Sequence, residues 1–139
     1  MKHSLFHVDA FDRYRRAPGA VLDSTTKLLR ITPVQYANLE SLFFTIGDRT
    51  FELTANAQIW PRALNEYIGR ERGRIYLIVN DIGSIVGAGL DFINGYTFLE
   101  RFYSVFDTGR RRVGLATTQF TSAMSNQLIG RPRLLFVSC

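Results

Sequence analysis

The alternation of apolar and polar positions along the chain predicts several short β-strands that are joined by tight turns. Aromatic and β-branched residues fill positions 42–46 and 50–53 around a turn at 47–49, which is the clearest hairpin pattern in the sequence. A second hairpin pattern follows, with residues 102–106 and 113–117 as its two arms. Both patterns favour antiparallel β-structure.

The run Ile75-Tyr76-Leu77-Ile78-Val79 is apolar throughout, which is typical of a strand buried on both faces. Shorter strand patterns cover residues 20–22, 28–31 and 90–93, and a tight turn is predicted at Asn94-Gly95. These patterns together predict a single all-β domain that contains a few short helices.

Two helix starts can be predicted from capping signals. Residues 9–16 form a helical pattern with Asp9 as the expected N-cap and Pro18-Gly19 as the stop. Thr32 is followed by Pro33, so that a capping hydroxyl stands directly before a proline at the first helical position. A further helical turn is expected around residues 98–100.

Charge alone suggests one class of partner. The net formal charge of +5 results from 17 Lys and Arg residues against 12 Asp and Glu residues, a balance that can indicate nucleic-acid binding. The basic residues are scattered through turn-like segments, and no helix-turn-helix pattern, zinc-ligand spacing or aromatic RNA platform accompanies them. We therefore expect solvated surface charge, and a basic nucleic-acid-binding β domain is the weakest alternative; its affinity would fall steeply with salt.

The sequence offers no set of metal or cofactor ligands. Cys139 is the only cysteine, so no internal disulfide framework is expected, and the redox compartment stays open. His3 and His7 stand four residues apart, but a third ligand at a suitable spacing is missing. The Gly-rich residues 83–89 lack the lysine of a phosphate-binding loop. We predict no metal and no cofactor.

Membrane and export segments are not predicted either. No apolar run approaches the roughly 18 residues that a membrane-spanning helix needs. The first apolar run is interrupted at His7 and Asp9, before it reaches the length of a signal peptide.

Asp107 lies in the stretch "SVFDTG", an apolar–Asp–Thr–Gly pattern that an acid protease uses for a catalytic aspartate. Such catalysis needs two neighbouring carboxylates that share one proton. Arg110, Arg111 and Arg112 follow directly, and their guanidinium groups would keep Asp107 ionised in a solvated site. An ordinary turn between two strands is therefore the expected role of Asp107.

Asp23 lies in a similar pattern, "AVLDSTTKLL", which lacks the glycine after the hydroxyl residue. Lys27 follows shortly afterwards and suggests a solvated loop. We predict that Asp23, like Asp107, is not catalytic.

Three longer stretches carry a specific resemblance to a known family. They are "QYANLESLFFTIGDRTFELTANAQIWPRALN", "YLIVNDIGS" and "GLDFINGYTFLERFYSVFDTGRRRVGLATT". They resemble the C-terminal lobe of fungal pepsin-like aspartic proteases, above all the secreted basidiomycete enzymes of the polyporopepsin type. The resemblance covers residues 9–126, with residues 1–8 as a non-matching N-terminal stub and residues 127–139 as an extension of unknown role.

The resemblance implies the C-terminal lobe of the bilobal pepsin-like fold, incomplete at its N-terminal edge. It places Asp107 at a non-catalytic turn and Asp23 in a surface segment. The family's second catalytic Asp-Thr-Gly would stand just before "DAFDRY", where this chain has Met1 to Val8 instead. The resemblance thus implies that this chain alone is inactive.

The resemblance also implies which residues border the substrate groove. Ile93 and Gly95 match the segment that passes behind the catalytic loop, while Ile82 and Ile85 match the loop on the leaving-group side of the groove. It implies peptide or protein substrates, an extracellular parent family, and either a missing N-terminal lobe as partner or aggregation through exposed strand edges. A non-catalytic binding or regulatory lobe is the alternative function.

Overall fold

The computed structural model describes residues 4–83, 89 and 92–126, and within them the chain forms short strands, three α-helices and two 3-10 helices. The strands are β1 (Ser4–Phe6), β2 (Val21–Leu22), β3 (Leu29–Ile31), β4 (Leu42–Ile46), β5 (Arg49–Leu53), β6 (Ile75–Leu77), β7 (Val79–Asp81), β8 (Phe92–Ile93), β9 (Phe102–Asp107) and β10 (Arg112–Thr117). The α-helices are α1 (Val8–Arg16), α2 (Pro33–Ala37) and α3 (Tyr96–Leu99), and the 3-10 helices are Ala55–Gln58 and Arg62–Ile68.

Both predicted hairpins are present. β4 pairs with β5 in antiparallel register, with Ile46 opposite Arg49, and Gly47 occupies the first turn position with a φ of +64°. Glycine adopts this left-handed conformation without the steric cost that a side chain would add. β9 and β10 form the second hairpin, which closes with Asp107 opposite Arg112.

The apolar run at 75–79 is buried, as predicted, but it forms two strands rather than one. β6 pairs with β3, which also pairs with β2, whereas β7 belongs to a different sheet. Ile78 lies between them, and its N–H donates to the Gln58 carbonyl across 2.9 Å. The chain therefore passes from one sheet to the next at Ile78.

β1 is the central strand of the sheet to which β7 belongs. It pairs in parallel with β7 on one edge and in antiparallel with β8 on the other. Residues 1–8 were expected to be a non-matching stub, whereas Ser4–Phe6 pairs with two strands that are distant in sequence. Three residues carry too short a pattern for such a strand to be predicted locally.

The predicted N-cap is confirmed at α2 and is wrong at α1. α2 has the predicted Thr32 cap, completed by a reciprocal bond from the Thr32 N–H to the side chain of Gln35. α1 is capped by His7, whose Nδ1 accepts from the Ala10 N–H, so the predicted Asp9 cap is wrong. Asp9 lies instead in the first turn of α1, where a carboxylate interacts favourably with the helix dipole.

A row of aromatic rings connects the small sheets to one core. Phe44 of β4 contacts Phe6 of β1 and Phe98 of α3 at centroid distances of 5.8 and 5.3 Å. Phe98 in turn stacks on Phe102 of β9 at 4.5 Å. The hairpins, α3 and β1 are thus held against one hydrophobic core. No helix in the described part of the chain is long and apolar enough to cross a membrane.

Candidate functional site

Two of the predicted groove residues lie on opposite sides of β1. Ile82 follows β7, and its N–H donates to the Phe6 carbonyl across 2.8 Å. Ile93 belongs to β8 and lies opposite Leu5 in the antiparallel register. Both isoleucines are partly buried. The structure therefore brings Ile82 and Ile93 to the same small sheet, although eleven positions separate them in the sequence.

Gly95 lies two residues after Ile93. Because β8 runs antiparallel to β1, Gly95 lies toward the Ser4 end of β1. It is buried and occupies the N-cap position of α3. Ile85, the fourth predicted groove residue, lies outside the described residues. Three of the four positions thus gather around β1, and their role as groove walls stays a prediction.

Two buried polar atoms beside Gly95 lack a hydrogen-bond partner within the described residues. They are Asn94 Oδ1 and Thr97 Oγ1. Buried polar atoms in folded proteins are nearly always hydrogen-bonded, so these two are exceptions to the general rule. The sequence predicted Asn94 only as a turn residue, and Thr97 was not among the candidate residues. The available signal was the presence of two polar residues in an otherwise apolar segment around a glycine.

Asp23 lies in the turn between β2 and β3 and is held by four donors. Its carboxylate accepts from the N–H groups of Thr25 and Thr26, from the Arg70 guanidinium at 2.9 Å and from the Tyr76 hydroxyl at 3.3 Å. The Thr26 N–H makes the largest contribution to lowering the pKa of Asp23, and Arg70 adds to it. Ser24, Thr25 and Lys27 are exposed, as expected of a solvated loop, but the Asp23 side chain itself is only 9% exposed.

Asp107 lies at the end of β9 and is engaged by the arginines that follow it. Its Oδ2 lies 3.0 Å from Arg112 Nε, and its Oδ1 accepts from the Arg110 N–H at 3.0 Å. In addition, Arg110 Nη1 lies 3.9 Å from Asp107 Oδ2. The arrangement is that of a surface hairpin turn.

Neither aspartate has the surroundings of a proton-sharing dyad. The hydrogen-bond partners of Asp23 are backbone N–H groups, a guanidinium and a phenol, and those of Asp107 are a backbone N–H and a guanidinium. A dyad requires a second carboxylate within a few ångströms, which raises one of the two pKa values. Arginine neighbours have the opposite effect, because they favour the ionised form.

The described residues contain no group of three potential metal ligands. His7 serves as the cap of α1, and His3 lies outside the described residues. The absence of a metal site in the full chain stays a prediction.

Many arginines of the turn segments pair with carboxylates. Arg70 contacts Asp23, and Arg72 contacts Glu66 at 2.8 Å. The other arginines in ion pairs are Arg15, Arg16, Arg74, Arg110 and Arg112. This pairing reduces the positive charge available to a phosphate backbone. Weak nucleic-acid affinity stays a prediction.

A cleft of about 660 Å³ lies between α1 and the segment that leads into β4. Phe6, Tyr14, Phe44 and Phe92 line its apolar part, while polar groups such as Glu40 lie at its rim. Ile82, Ile93 and Gly95 do not line it. No local sequence pattern predicts this cleft, because helix α1 and strand β4 are almost thirty residues apart and only the fold brings them together.

Comparisons with known proteins relate the chain to an aspartic proteinase. No protein-family model matches the chain. Polyporopepsin from Irpex lacteus is 66% identical over 123 residues, which are 88% of this chain and 36% of that protein. The crystal structure of the aspartic proteinase from Irpex lacteus superimposes with a TM-score of 0.86 at 65% identity, again over 88% of this chain and 36% of the other. The chain thus spans little more than a third of the length of the relative it matches.

Proposed function

The chain is homologous over 123 residues to a pepsin-like aspartic proteinase and shares its fold, and from this premise we propose that it forms the C-terminal lobe of such an enzyme. In this proposal the lobe contributes to hydrolysis of peptide bonds at acidic pH. The observation that carries it is the 66% identity over 123 residues, which are 88% of this chain. In this proposal residues 9–126 form most of the lobe, and β1 (Ser4–Phe6) adds the central strand of one of its sheets.

The lobe does not provide the catalytic carboxylates. Water is activated in this chemistry between two aspartates that share a proton, and no metal or covalent intermediate is needed. Asp107 belongs to the only Asp-Thr-Gly in the sequence, and it is paired with Arg112. Asp23 is paired with Arg70. Both catalytic aspartates therefore come from polypeptide beyond these 139 residues, and the chain alone does not cleave peptides.

The contribution of this lobe to the site is a wall of the substrate groove. Ile82, Ile85, Ile93 and Gly95 form it in the proposal, and the sheet around β1 supports three of these positions. The unpartnered atoms of Asn94 and Thr97 favour the same place, because they offer hydrogen bonds to a segment that packs beside Gly95. Peptides and proteins are the expected substrates, and the parent enzyme acts outside the cell.

Fragment complementation tests this proposal. The purified chain is mixed with the portion of polyporopepsin that lies outside the match, and cleavage of a denatured protein is measured at acidic pH with and without pepstatin. We expect pepstatin-sensitive cleavage only in the mixture. Ile93→Asp should abolish this gain, whereas Val34→Asp, a matched change on the exposed surface of α2, should preserve it.

Two results would count against the proposal. One is a mixture that shows no cleavage above that of its separate components. The other is equal cleavage by the Ile93→Asp and Val34→Asp mixtures, which would mean that β8 does not border the groove. The alternative, a regulatory lobe, predicts that the chain changes the rate of an intact homologous proteinase and elutes together with it.

A further inference from the structure

The backbone around Ile82 is fixed by hydrogen bonds on both of its sides. The Ile82 N–H donates to the Phe6 carbonyl across 2.8 Å, which holds this residue against β1. The next N–H, that of Gly83, donates to Asp81 Oδ1 across 2.7 Å. Gly83 has a φ of +76°, a left-handed conformation that glycine adopts without steric cost. The chain therefore leaves β7 in a defined turn, with Ile82 between the two bonded residues.

Asn80 connects this turn to the turn between β2 and β3. Its Oδ1 accepts from the Asp81 N–H across 2.9 Å, and its Nδ2 donates to the Lys27 carbonyl across 3.3 Å. Lys27 has a φ of +58°, which is uncommon for a residue with a side chain. Its N–H donates to the Asp23 carbonyl across 2.9 Å. The end of β7 is thus joined to a second turn whose own conformation is held by hydrogen bonds.

The bond from Gly83 to Asp81 acts on local conformation more than on stability. Asp81 is exposed, so this bond replaces a bond to water and contributes little to the free energy of unfolding. A carboxylate is nevertheless a stronger acceptor than a neutral oxygen, and the bond is short. Its main effect is to select the direction in which the chain leaves β7.

We propose that Asp81 is a positioning residue for substrate specificity, because it holds Ile82 in place in the wall on the leaving-group side of the groove. The inference rests on the proposed function, in which Ile82 forms part of that wall. Asp81 itself does not touch the substrate and acts through the Gly83 N–H. Ile82 is partly buried, so part of its side chain is left to contact a substrate. A binding site needs its walls held to within about 0.5 Å, so loss of the Asp81 bond should weaken binding of an apolar side chain there.

Two synthetic peptides test the proposal; they differ only in the residue after the cleaved bond, which is leucine in one and alanine in the other. Their kcat and KM are measured with a mixture of the full 139-residue chain and the portion of polyporopepsin outside the match. An apolar pocket distinguishes side chains by roughly tenfold or more for each methylene. In Asp81→Ala, the preference for the leucine peptide in kcat/KM should fall at least about threefold. The change should lie in the KM of the leucine peptide, since a binding contact rather than a reacting group is lost.

Two further variants separate the hydrogen bond from charge and from folding. Asp81→Asn keeps an acceptor oxygen for the Gly83 N–H and should retain the leucine preference. Asp48→Ala, at an exposed aspartate in the turn between β4 and β5, should leave the preference and both kinetic constants unchanged. A variant that merely folds less well would lower kcat for both peptides equally and leave the preference unchanged, because fewer molecules would be active.

An NMR measurement on the chain alone examines the hydrogen bond directly. The Gly83 amide proton should exchange with solvent faster in Asp81→Ala than in the unsubstituted chain, and at the unsubstituted rate in Asp81→Asn. An unchanged exchange rate or an unchanged leucine preference in Asp81→Ala overturns the proposal, and so does an equal loss of preference in Asp81→Asn. An unsubstituted mixture that cleaves neither peptide would instead refute the proposed function, and this inference with it.

Discussion

Asp23 shows at the scale of one residue how a carboxylate in a protease-like pattern can be structural. It connects the β2–β3 turn to Arg70 and to Tyr76 of β6. The donors around it stabilise the ionised form and hold its pKa below the usual range. Its role is to join three segments of the chain, and this role depends on its charge.

The pH dependence of stability should reveal this role of Asp23. Because the pKa is lower in the folded state, the ionised group stabilises the fold above its unfolded pKa of about 3.9. That contribution is lost as the pH falls through the folded-state pKa. Asp23→Asn should therefore be less stable than the unsubstituted chain at neutral pH, and the difference should shrink in acid. Urea unfolding at several pH values measures it.

Asp48→Asn is the matched control, because Asp48 is an exposed turn residue between β4 and β5. It should leave the unfolding free energy nearly unchanged across the same pH range. An Asp23→Asn difference that stayed constant from neutral to strongly acidic pH would contradict the assignment.

Tyr14 makes a second residue-scale contact that can be tested. Its hydroxyl donates to Gln58 Oε1 across 3.0 Å in the buried core, and burial raises the pKa of the phenol. Tyr14→Phe leaves Gln58 Oε1 without this donor and should cost about 1–3 kcal/mol of unfolding free energy. Tyr67→Phe, at an exposed position, should cost less than about 0.5 kcal/mol. Thermal or urea unfolding compares them, and equal costs would contradict the structure.

At the scale of elements, β1 is a short strand on which two distant segments depend. Phe6 contacts Tyr14 of α1 at a centroid distance of 6.0 Å and Phe44 of β4 at 5.8 Å. Phe6→Ala should destabilise the fold by about 3–5 kcal/mol, since it empties a core position. Phe43→Ala, next to Phe44 but exposed, should cost far less.

Hydrogen exchange gives the element-specific measurement for β1. The Ile82 N–H, which donates to the Phe6 carbonyl, should lose protection in Phe6→Ala before the amides of the β4–β5 hairpin do. If both sets of amides lost protection equally, β1 would not act as a separate link between β7 and β8.

Arg101 holds the segment that follows β10. Its guanidinium donates to the carbonyls of Phe120 and Ala123, and its own carbonyl accepts from the Thr121 hydroxyl at 2.6 Å. Arg101→Met leaves these carbonyls without their donor and should cost about 2–4 kcal/mol. Arg49→Met, at an exposed position in β5, is the control for unfolding. Limited proteolysis should cut the Arg101→Met variant first near residues 118–126, and an unchanged cleavage pattern would contradict this role.

Elements with strong local signals could be predicted from the sequence. Both hairpins follow from strand alternation around polar turns, and α2 follows from the Thr32-Pro33 start. The start of α1 was misplaced by one residue because histidine is an uncommon cap. β1 and the break at Ile78 could not be predicted, because both depend on pairing between segments that are distant in the sequence: β7 pairs with β1 and β6 pairs with β3.

At the scale of the whole molecule, the short sheets share one hydrophobic core, and two buried polar atoms beside Gly95 lack a hydrogen-bond partner within the described residues. The sequence resemblance to fungal aspartic proteases was confirmed by the Irpex lacteus matches, and so was the β-rich fold. The position of Ile82 relative to Ile93 depends on β1 and could not be derived from local patterns. The cleft beside α1 and the partners of Asp23 likewise depend on tertiary packing.

The most direct test of the central claim is cleavage of a denatured protein at acidic pH by the purified chain alone, with and without pepstatin. We predict no pepstatin-sensitive cleavage, because Asp23 and Asp107 are both bound to arginines and neither has a carboxylate partner among the residues that the structure describes. Pepstatin-sensitive cleavage that disappears in Asp107→Asn would contradict the account, since it would make the hairpin turn catalytic.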